Sequence, residues 1–409
     1  MNDTTAPATL PHPFLAQATE LLPDIVALRR RLHRRPEIGL ALPETQAAVA
    51  DQLRTLGLEP VLGQHVGWVA ALIDGDLPGP AVLLRADMDG LPLREDTGLE
   101  FASEIEGAMH ACGHDTHVAM LVGGARILLA QRARLAGRVL LMFQPGEEGY
   151  HGARYMLEDG LLELAAPSAV SGAFAIHIST KYAAGTVNVR SGPLLAAGDV
   201  IRMTVRGRGG HASAPHMALD PIAAAAQIIV ALQTAVTRRV DVFDPAVVTI
   251  ARIEGGTTNN IIPESVYLEG TIRTVSAEQR AFVRDLVRSV AEATAAACGA
   301  AVDLELEAGY PVTVNDTDAV ALAREVAVEL VGPEAVIDLA APIMGAEDFS
   351  YVLQQVPGSM AFLGARPPGE DPETAPANHS NLVVFDEPSM AVGAALYAGV
   401  ALRQLQPEG

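Results

Sequence analysis

The chain has 409 residues, 49% of them hydrophobic and 19% charged, a globular balance that excludes a disordered chain and leaves room for two domains. With 28 Lys and Arg against 49 Asp and Glu the formal net charge is −21, which weighs against nucleic acid and anionic membranes as partners. Two cysteines, Cys112 and Cys298, cannot build a disulfide framework and point to a reducing compartment, the cytoplasm.

Residues 1–14 carry an early Asp3 and several prolines without a basic-then-apolar pattern, so no signal peptide is expected. A helical period runs over 15–35 and again over 43–56, where Pro43 sits near the start and Gly57 ends the run. A short apolar strand is predicted at 81–85, a helix at 116–132, and strands at 139–143 and 173–178. Strands separated by helices imply an α/β domain with a mostly parallel sheet covered on both faces. The pattern then changes. Alternation over 199–206 sets Ile201, Met203 and Val205 on one face, followed by a helix at 219–238, strands at 247–253 and 266–275, a helix at 277–297 and a strand at 301–307. This β-α-β-β-α-β order is the ferredoxin-like α+β arrangement. The apolar run 221–236 contains Gln227 and Gln233 and reads as a buried helix, not a membrane span. Helix–strand alternation resumes at 318–331, 360–363 and 389–405. The expected limits are therefore 1–194 with 309–409 for the first domain and 195–308 for an inserted one.

Polar clusters lie close to the ends of the apolar strands, the edge where a parallel sheet gathers its ligands. They are Asp87 and Asp89, Glu147 and Glu148, His177, and Asn378 with His379. A fifth, His110 to Asp115, sits in the loop before the predicted helix at 116. Cys112 and His114 are two apart and can face one ion, and a helix start just downstream favours a thiolate. A lone cysteine is more often a buried apolar residue, and a lone histidine such as His177 more often packs in a core. Two adjacent carboxylates on a tight turn allow one to bind metal while the other takes a proton from water; the bland reading is a solvated acidic loop. His33, His110 and His117 are candidates for supporting positions, whereas His12, His65, His151 and His216 show no partner pattern. Jointly, one Cys, three His and a Glu at one sheet edge suffice for two transition metals.

Several segments now add up. They include Arg85-Ala-Asp-Met-Asp-Gly-Leu-Pro92, Met109-His-Ala-Cys-Gly-His-Asp-Thr-His117, Phe143-Gln-Pro-Gly-Glu-Glu-Gly149, Gly209-Gly-His-Ala-Ser213, Gly255-Gly-Thr-Thr-Asn-Asn-Ile-Ile-Pro263, Gly345-Ala-Glu-Asp-Phe349 and Asn378-His379. In this order the chain resembles the M20 metallopeptidase family, in its aminoacylase, hippurate-hydrolase and auxin-conjugate-hydrolase branch. The resemblance implies two divalent metal ions, Zn²⁺ or Mn²⁺, held by Cys112, His114, Glu148, His177 and His379, with Glu147 as general base and Asp87 as an orienting carboxylate. The wider family has His-x-Asp where this chain has Arg85-Ala-Asp87, which removes one usual ligand and fits the branch that uses Cys112 and His114. The inserted domain resembles the family's lid and dimerisation domain, implying a homodimer. His211 matches its carbonyl-polarising histidine; Asn260 and Arg273 match positions that hold the substrate carboxylate or carbonyl. The implied activity is hydrolysis of small N-acyl amino acids, such as hippurate-like or N-acetyl substrates. A carboxypeptidase or dipeptidase of the same family, a binding module that has lost catalysis and a purely structural protein are the competing readings.

Overall fold

The computed structural model describes residues 12–406; most of the stretch expected to lack a signal peptide lies outside them. In chain order the first elements are α1 (Pro13–His33), α2 (Pro43–Thr55), β1 (Val61–Leu62), β2 (Val69–Asp74), β3 (Leu77–Asp87), α3 (His114–Leu129), β4 (Ala136–Gln144), α4 (Gly152–Glu158), β5 (Val170–Ala183) and β6 (Val187–Val189). There follow β7 (Gly192–Leu195), β8 (Ala197–Arg206), β9 (Gly210–His211), α5 (Pro221–Arg239), β10 (Ala246–Gly255), β11 (Ile261–Ile262), β12 (Ser265–Thr274), α6 (Ala277–Ala297) and β13 (Ala301–Glu307). The chain ends with β14 (Thr313–Asn315), α7 (Thr317–Val331), β15 (Val336–Asp338), α8 (Ser350–Leu353), β16 (Gly358–Arg366) and α9 (Met390–Gln404).

Two compact units emerge: Met1–Gly192, Asn315–Ala340 and Tyr351–Gly409, and Pro193–Val314 with Ala341–Ser350. The second extends past 195–308 and takes up 341–350, because Ala196 N–H donates to the carbonyls of Ile343 and Gly345 at 3.0 and 2.8 Å.

The first unit is built on an eight-stranded sheet in the order β1-β2-β4-β3-β5-β16-β6-β15. Its centre, β4, β3, β5 and β16, is parallel, while β2 runs antiparallel to β4 and β6 antiparallel to β16. Val82, Leu83 and Leu84 of β3 point to alternate faces and are all fully buried, so both faces are covered and the strand reads as an unbroken apolar run. Tyr397 of α9 sends its hydroxyl between β3 and β5, donating to Arg85 O at 2.7 Å and accepting from Ile176 N–H at 3.3 Å.

Helix α1 is tied to the first turn of α3 by a buried ionic network. Arg29 Nε and His33 Nδ1 lie 2.8 and 2.9 Å from Asp115 Oδ2, and Arg29 Nη1 also reaches Glu387 at 2.9 Å. Burial by itself would raise the Asp115 carboxyl, but Arg29 and His33 outweigh it and hold it far below the usual carboxylate range. The network therefore fixes a permanent anion one residue from His114.

The second unit carries an antiparallel sheet in the order β10-β12-β8-β13. Ile201, Met203 and Val205 of β8 and Val266, Leu268 and Ile272 of β12 form a core with residues of α5 and α6. Asp220 caps α5 and Ser276 caps α6 through side-chain acceptance of backbone N–H groups. Helix α5 is less buried than the buried helix read in the sequence. It buries only the stripe Pro221, Ala224, Ala225, Ile228 and Leu232, and leaves Ile222 and Val230 exposed. It is also the one helix among the described residues long and apolar enough to cross a membrane; its inner stripe is used instead on the four-stranded sheet.

Removing Asp115 strands the buried Arg29 guanidinium and the His33 ring. Asp115→Ala is expected to cost about 3 kcal/mol, the low end for a broken buried pair because Glu387 remains, whereas the exposed pair Arg54–Asp51 can be broken by Asp51→Ala without measurable loss. Since the native carboxyl is depressed, its stabilisation is complete at neutral pH and fades only as the pH falls below the ordinary carboxylate range. Urea denaturation of the metal-free proteins across that range checks both the size and the pH course of the deficit.

Candidate metal centre

The donor side chains gather where the β3–β5 ladder stops. The two strands pair up to Arg85 opposite Ala175. Beyond that register β3 stays on β4, with Asp87 opposite Gln144, while β5 stays on β16, with His177 opposite Phe362. The strands part and leave a crevice. His177 thus lies inside a long strand, not at the end of a short one, because β16 continues to pair after β3 has left. Helix α3 begins at His114, two residues earlier than the sequence pattern suggests, so His114 and Asp115 occupy its first turn. Gly113 precedes it at φ 88°, and a Cβ there would lie 2.5 Å from Ile178 Cγ2. Only glycine satisfies both the left-handed backbone and the close approach.

Five donors meet in this crevice. Cys112, His114 and His177 form one group, and Cys112, Glu148 and His379 a second, the donor atoms of each within 4.8 Å of one another. The Cys112 sulfur belongs to both. It lies 3.4 Å from His177 Nε2, and His379 Nε2 lies 3.2 Å from Glu148 Oε1. Glu147 forms a further group with His114 and Glu148 and brings Oε2 to 4.0 Å from His114 Nε2.

Hydrogen bonding fixes the ring protons. His177 Nδ1 lies 2.7 Å from Ile178 O; a carbonyl only accepts, so Nδ1 carries the proton and Nε2 offers its lone pair. His117 Nε2 accepts from Ile178 N–H at 2.8 Å, so its Nδ1–H donates to Asp87 Oδ1 at 2.5 Å. Asp87 is also paired with Arg85 Nη1 at 2.6 Å and stands 3.5 Å from His114 Nε2. Burial would raise its carboxyl, but Arg85, His114 and His117 prevail and hold it well below the usual range. It is a fixed anion that orients His117 and faces His114.

Asp89, named with Asp87 among the polar clusters but given no role, has an equally definite place. Its two oxygens accept from Glu147 N–H at 2.9 Å and Glu148 N–H at 3.1 Å, and Oδ1 lies 3.4 Å from His114 Nδ1. The sequence signal was the two-residue spacing of Asp87 and Asp89 around buried Met88. His33 supports the centre indirectly through Asp115. His110 is fully buried, and burial holds its ring down at about 4, hence neutral. His151, which showed no partner pattern, lies with Nδ1 2.9 Å from the Tyr351 hydroxyl.

These residues fit a bound metal. Both nitrogens of His114 are buried and complete no hydrogen bond, an arrangement that a cation resolves. Thiol, imidazole and carboxylate donors suit zinc-like transition metals, and a three-donor group leaves positions open, as catalytic sites require. Burial pushes the Cys112 thiol above its ordinary value, so a cation must displace its proton.

His211, Asn260 and Arg273 belong to the second unit. There β9 pairs with β11, setting His211 opposite Ile261, and Ala212 N–H donates to Asn260 O at 3.1 Å, so His211 and Asn260 are neighbours. His211 Nδ1 accepts from Ser213 N–H at 3.1 Å, which leaves the proton on Nε2 of an exposed ring. Arg273 stands opposite Gly198, where a Cβ would lie 2.2 Å from Arg273 Nη1; the glycine makes room for the guanidinium.

Comparison with known proteins gives the family. The family model described as peptidase family M20/M25/M40 matches residues 83–403. The chain is similar to thermostable carboxypeptidase 1 of Saccharolobus solfataricus, 39% identical over 93% of this chain and 95% of the relative. It is also similar to IAA-amino acid hydrolase ILR1-like 4 of Arabidopsis thaliana, 37% identical over 96% of this chain and 88% of the relative. N-acetyl-L-cysteine deacetylase of Bacillus subtilis is 40% identical over 83% of this chain and 80% of the relative. Among solved structures, a dinuclear metal-binding peptidase of the M20 family from Bacillus subtilis superposes with a TM-score of 0.81 at 34% identity, covering 94% of this chain and 99% of that one.

Because the Cys112 thiol is protonated without a cation, metal uptake is expected to release a proton. Calorimetric titration of metal-free protein with Zn²⁺ in buffers of different ionisation enthalpy should give buffer-dependent heats. Apparent affinity should rise by roughly tenfold per pH unit for each proton displaced through the neutral range. Heats independent of buffer would contradict the assignment.

Proposed function

Because this chain belongs to peptidase family M20/M25/M40, we propose that it is a metal-dependent amidohydrolase that cleaves the amide bond of small N-acyl amino acids, giving a carboxylic acid and a free amino acid. The observation that carries this reading is the placement of Glu147, a buried carboxylate grouped with His114 and Glu148 beside the two donor triads. Relatives named for N-acetyl-L-cysteine and for IAA-amino acid substrates support the substrate class.

Two divalent ions, Zn²⁺ or Mn²⁺, held by Cys112, His114, Glu148, His177 and His379, would supply Lewis-acid polarisation and a more acidic water. Glu147 takes the proton of the attacking water and returns it to the leaving amine. Asp89 keeps the Glu147–Glu148 turn fixed through the two backbone N–H groups it accepts. Asp87 holds a constant negative charge beside His114. His211, with its proton on Nε2, donates to the carbonyl oxygen as charge develops there. Asn260 and Arg273 receive the substrate carboxylate or carbonyl.

The inserted domain is assigned the role of lid and dimerisation domain. Its edge strand β10 exposes Val247 and Ile253, and α5 exposes Ile222 and Val230. An apolar, unpaired edge of this kind suits pairing with a second copy of the chain. The free thiol of Cys112 and the exposed thiol of Cys298 fit a reducing cytoplasm.

A second reading, a carboxypeptidase, is favoured by the similarity to the Saccharolobus protein. A panel of N-acetyl, N-benzoyl and indole-acetyl amino acids, run against dipeptides and longer peptides, separates the two; preference for the peptides would replace the first reading with the second. In either case Glu147→Gln should lower kcat by about 10²–10⁴-fold while the protein keeps its full complement of metal. Near-native turnover by this variant would remove Glu147 from the role of base.

A further inference from the structure

We propose that Asn378 is a positioning residue for the metal centre, acting through the main chain of Cys112 and Ile178 without touching an ion or substrate. The proposal rests on the metal-centre reading above and extends it to a residue outside the donor set. The side-chain amide of Asn378 donates to Cys112 O at 3.1 Å and to Ile178 O at 3.0 Å, and its carbonyl oxygen accepts from Thr180 N–H at 3.3 Å. The orientation of the amide follows from its partners, because two carbonyls can only accept and one N–H can only donate.

What distinguishes this carboxamide is what its partners carry. Cys112 is the residue whose sulfur both donor triads share. Ile178 O is the same carbonyl that receives the Nδ1 proton of His177, and that bond directs His177 Nε2 to the Cys112 sulfur. His379 follows Asn378 directly, at φ 70°, and its backbone N–H is fixed on Ala111 O at 2.9 Å. One side chain therefore bonds the backbone at two donor-bearing segments and is itself part of a third. Thr180 strengthens the seam, its hydroxyl donating to Pro376 O at 2.8 Å. These segments come from distant parts of the chain, and their mutual spacing sets the distances among Cys112, His177 and His379. Groups that orient metal ligands from outside the donor set commonly change metal affinity 10–100-fold when altered.

Asn378→Asp tests the idea with little change of shape. It keeps an acceptor for Thr180 but replaces the double donor with an oxygen that faces two carbonyls. Asn378→Ala removes all three bonds. Metal-free wild type and variants would be titrated with Co²⁺, following the visible absorption and the near-ultraviolet thiolate-to-cobalt band, with apo-protein melting measured alongside. Asn381→Ala serves as control, since Asn381 lies in the same loop but bonds Asp96. Both Asn378 variants are expected to lose about 10–100-fold in Co²⁺ affinity and to show a weakened or shifted thiolate band, while the Asn381 variant keeps wild-type binding and spectrum. Wild-type affinity and spectrum in a folded Asn378→Asp protein would overturn the proposal, even if its apo form melted earlier, because a purely structural role moves only the melting. Failure of the wild type itself to bind Co²⁺ would instead overturn the metal-centre reading and this proposal together.

Discussion

Two neighbouring parallel strands part company after Arg85 and Ala175, each remaining with its other neighbour. The parting needs support, since strand backbone that loses its ladder in a buried sheet must find other partners. Tyr397 supplies part of it by engaging Arg85 O and Ile176 N–H, and His117 takes the N–H of Ile178. The crevice opened in this way is where Asp87, His177 and the start of α3 meet. Everything chemical in the first unit is arranged around it.

Around the crevice the charges are settled in advance. Asp87 and Asp115 are held as anions by cationic neighbours in spite of their burial, and His110 is kept neutral by burial. Cys112, in contrast, is left protonated until a cation arrives. Loading therefore leaves the anions around the crevice unchanged and is coupled to loss of protons from the donors themselves.

Much of this could be read in the sequence, and the limits have physical causes. The ranges 277–297 and 301–307 expected from the sequence coincide with α6 and β13, and the structure supplies the reason: Ser276 caps the helix and the strand alternates exposed with half-buried residues. The donors Cys112, His114, Glu148, His177 and His379 stood out through residue type, position near strand ends and resemblance. The antiparallel strand β2 was missed, and so were β6 and β15, which at three residues each are too short for any period to register. The true length of β5 depends on pairing with β16, remote in sequence, so its end could not be placed locally. Asn378 and Asp89 were visible as members of the polar clusters near the strand ends, but that they act on backbone groups follows only from the fold. The exposure of α5 was equally invisible, because an apolar helix facing a possible partner has the same composition as one facing a core.

The central claim is that a thiolate, three imidazoles and a carboxylate hold a pair of ions in the first unit. Anomalous scattering from crystals equilibrated with Zn²⁺ or Mn²⁺, recorded at the absorption edge of each, tests it most directly. Two peaks are expected, with Cys112, His114, Glu148, His177 and His379 within about 2.0–2.4 Å of one or the other and Glu147 left uncoordinated. No peak in the crevice, or peaks bound by other side chains while Cys112 and His379 stand apart, would contradict it.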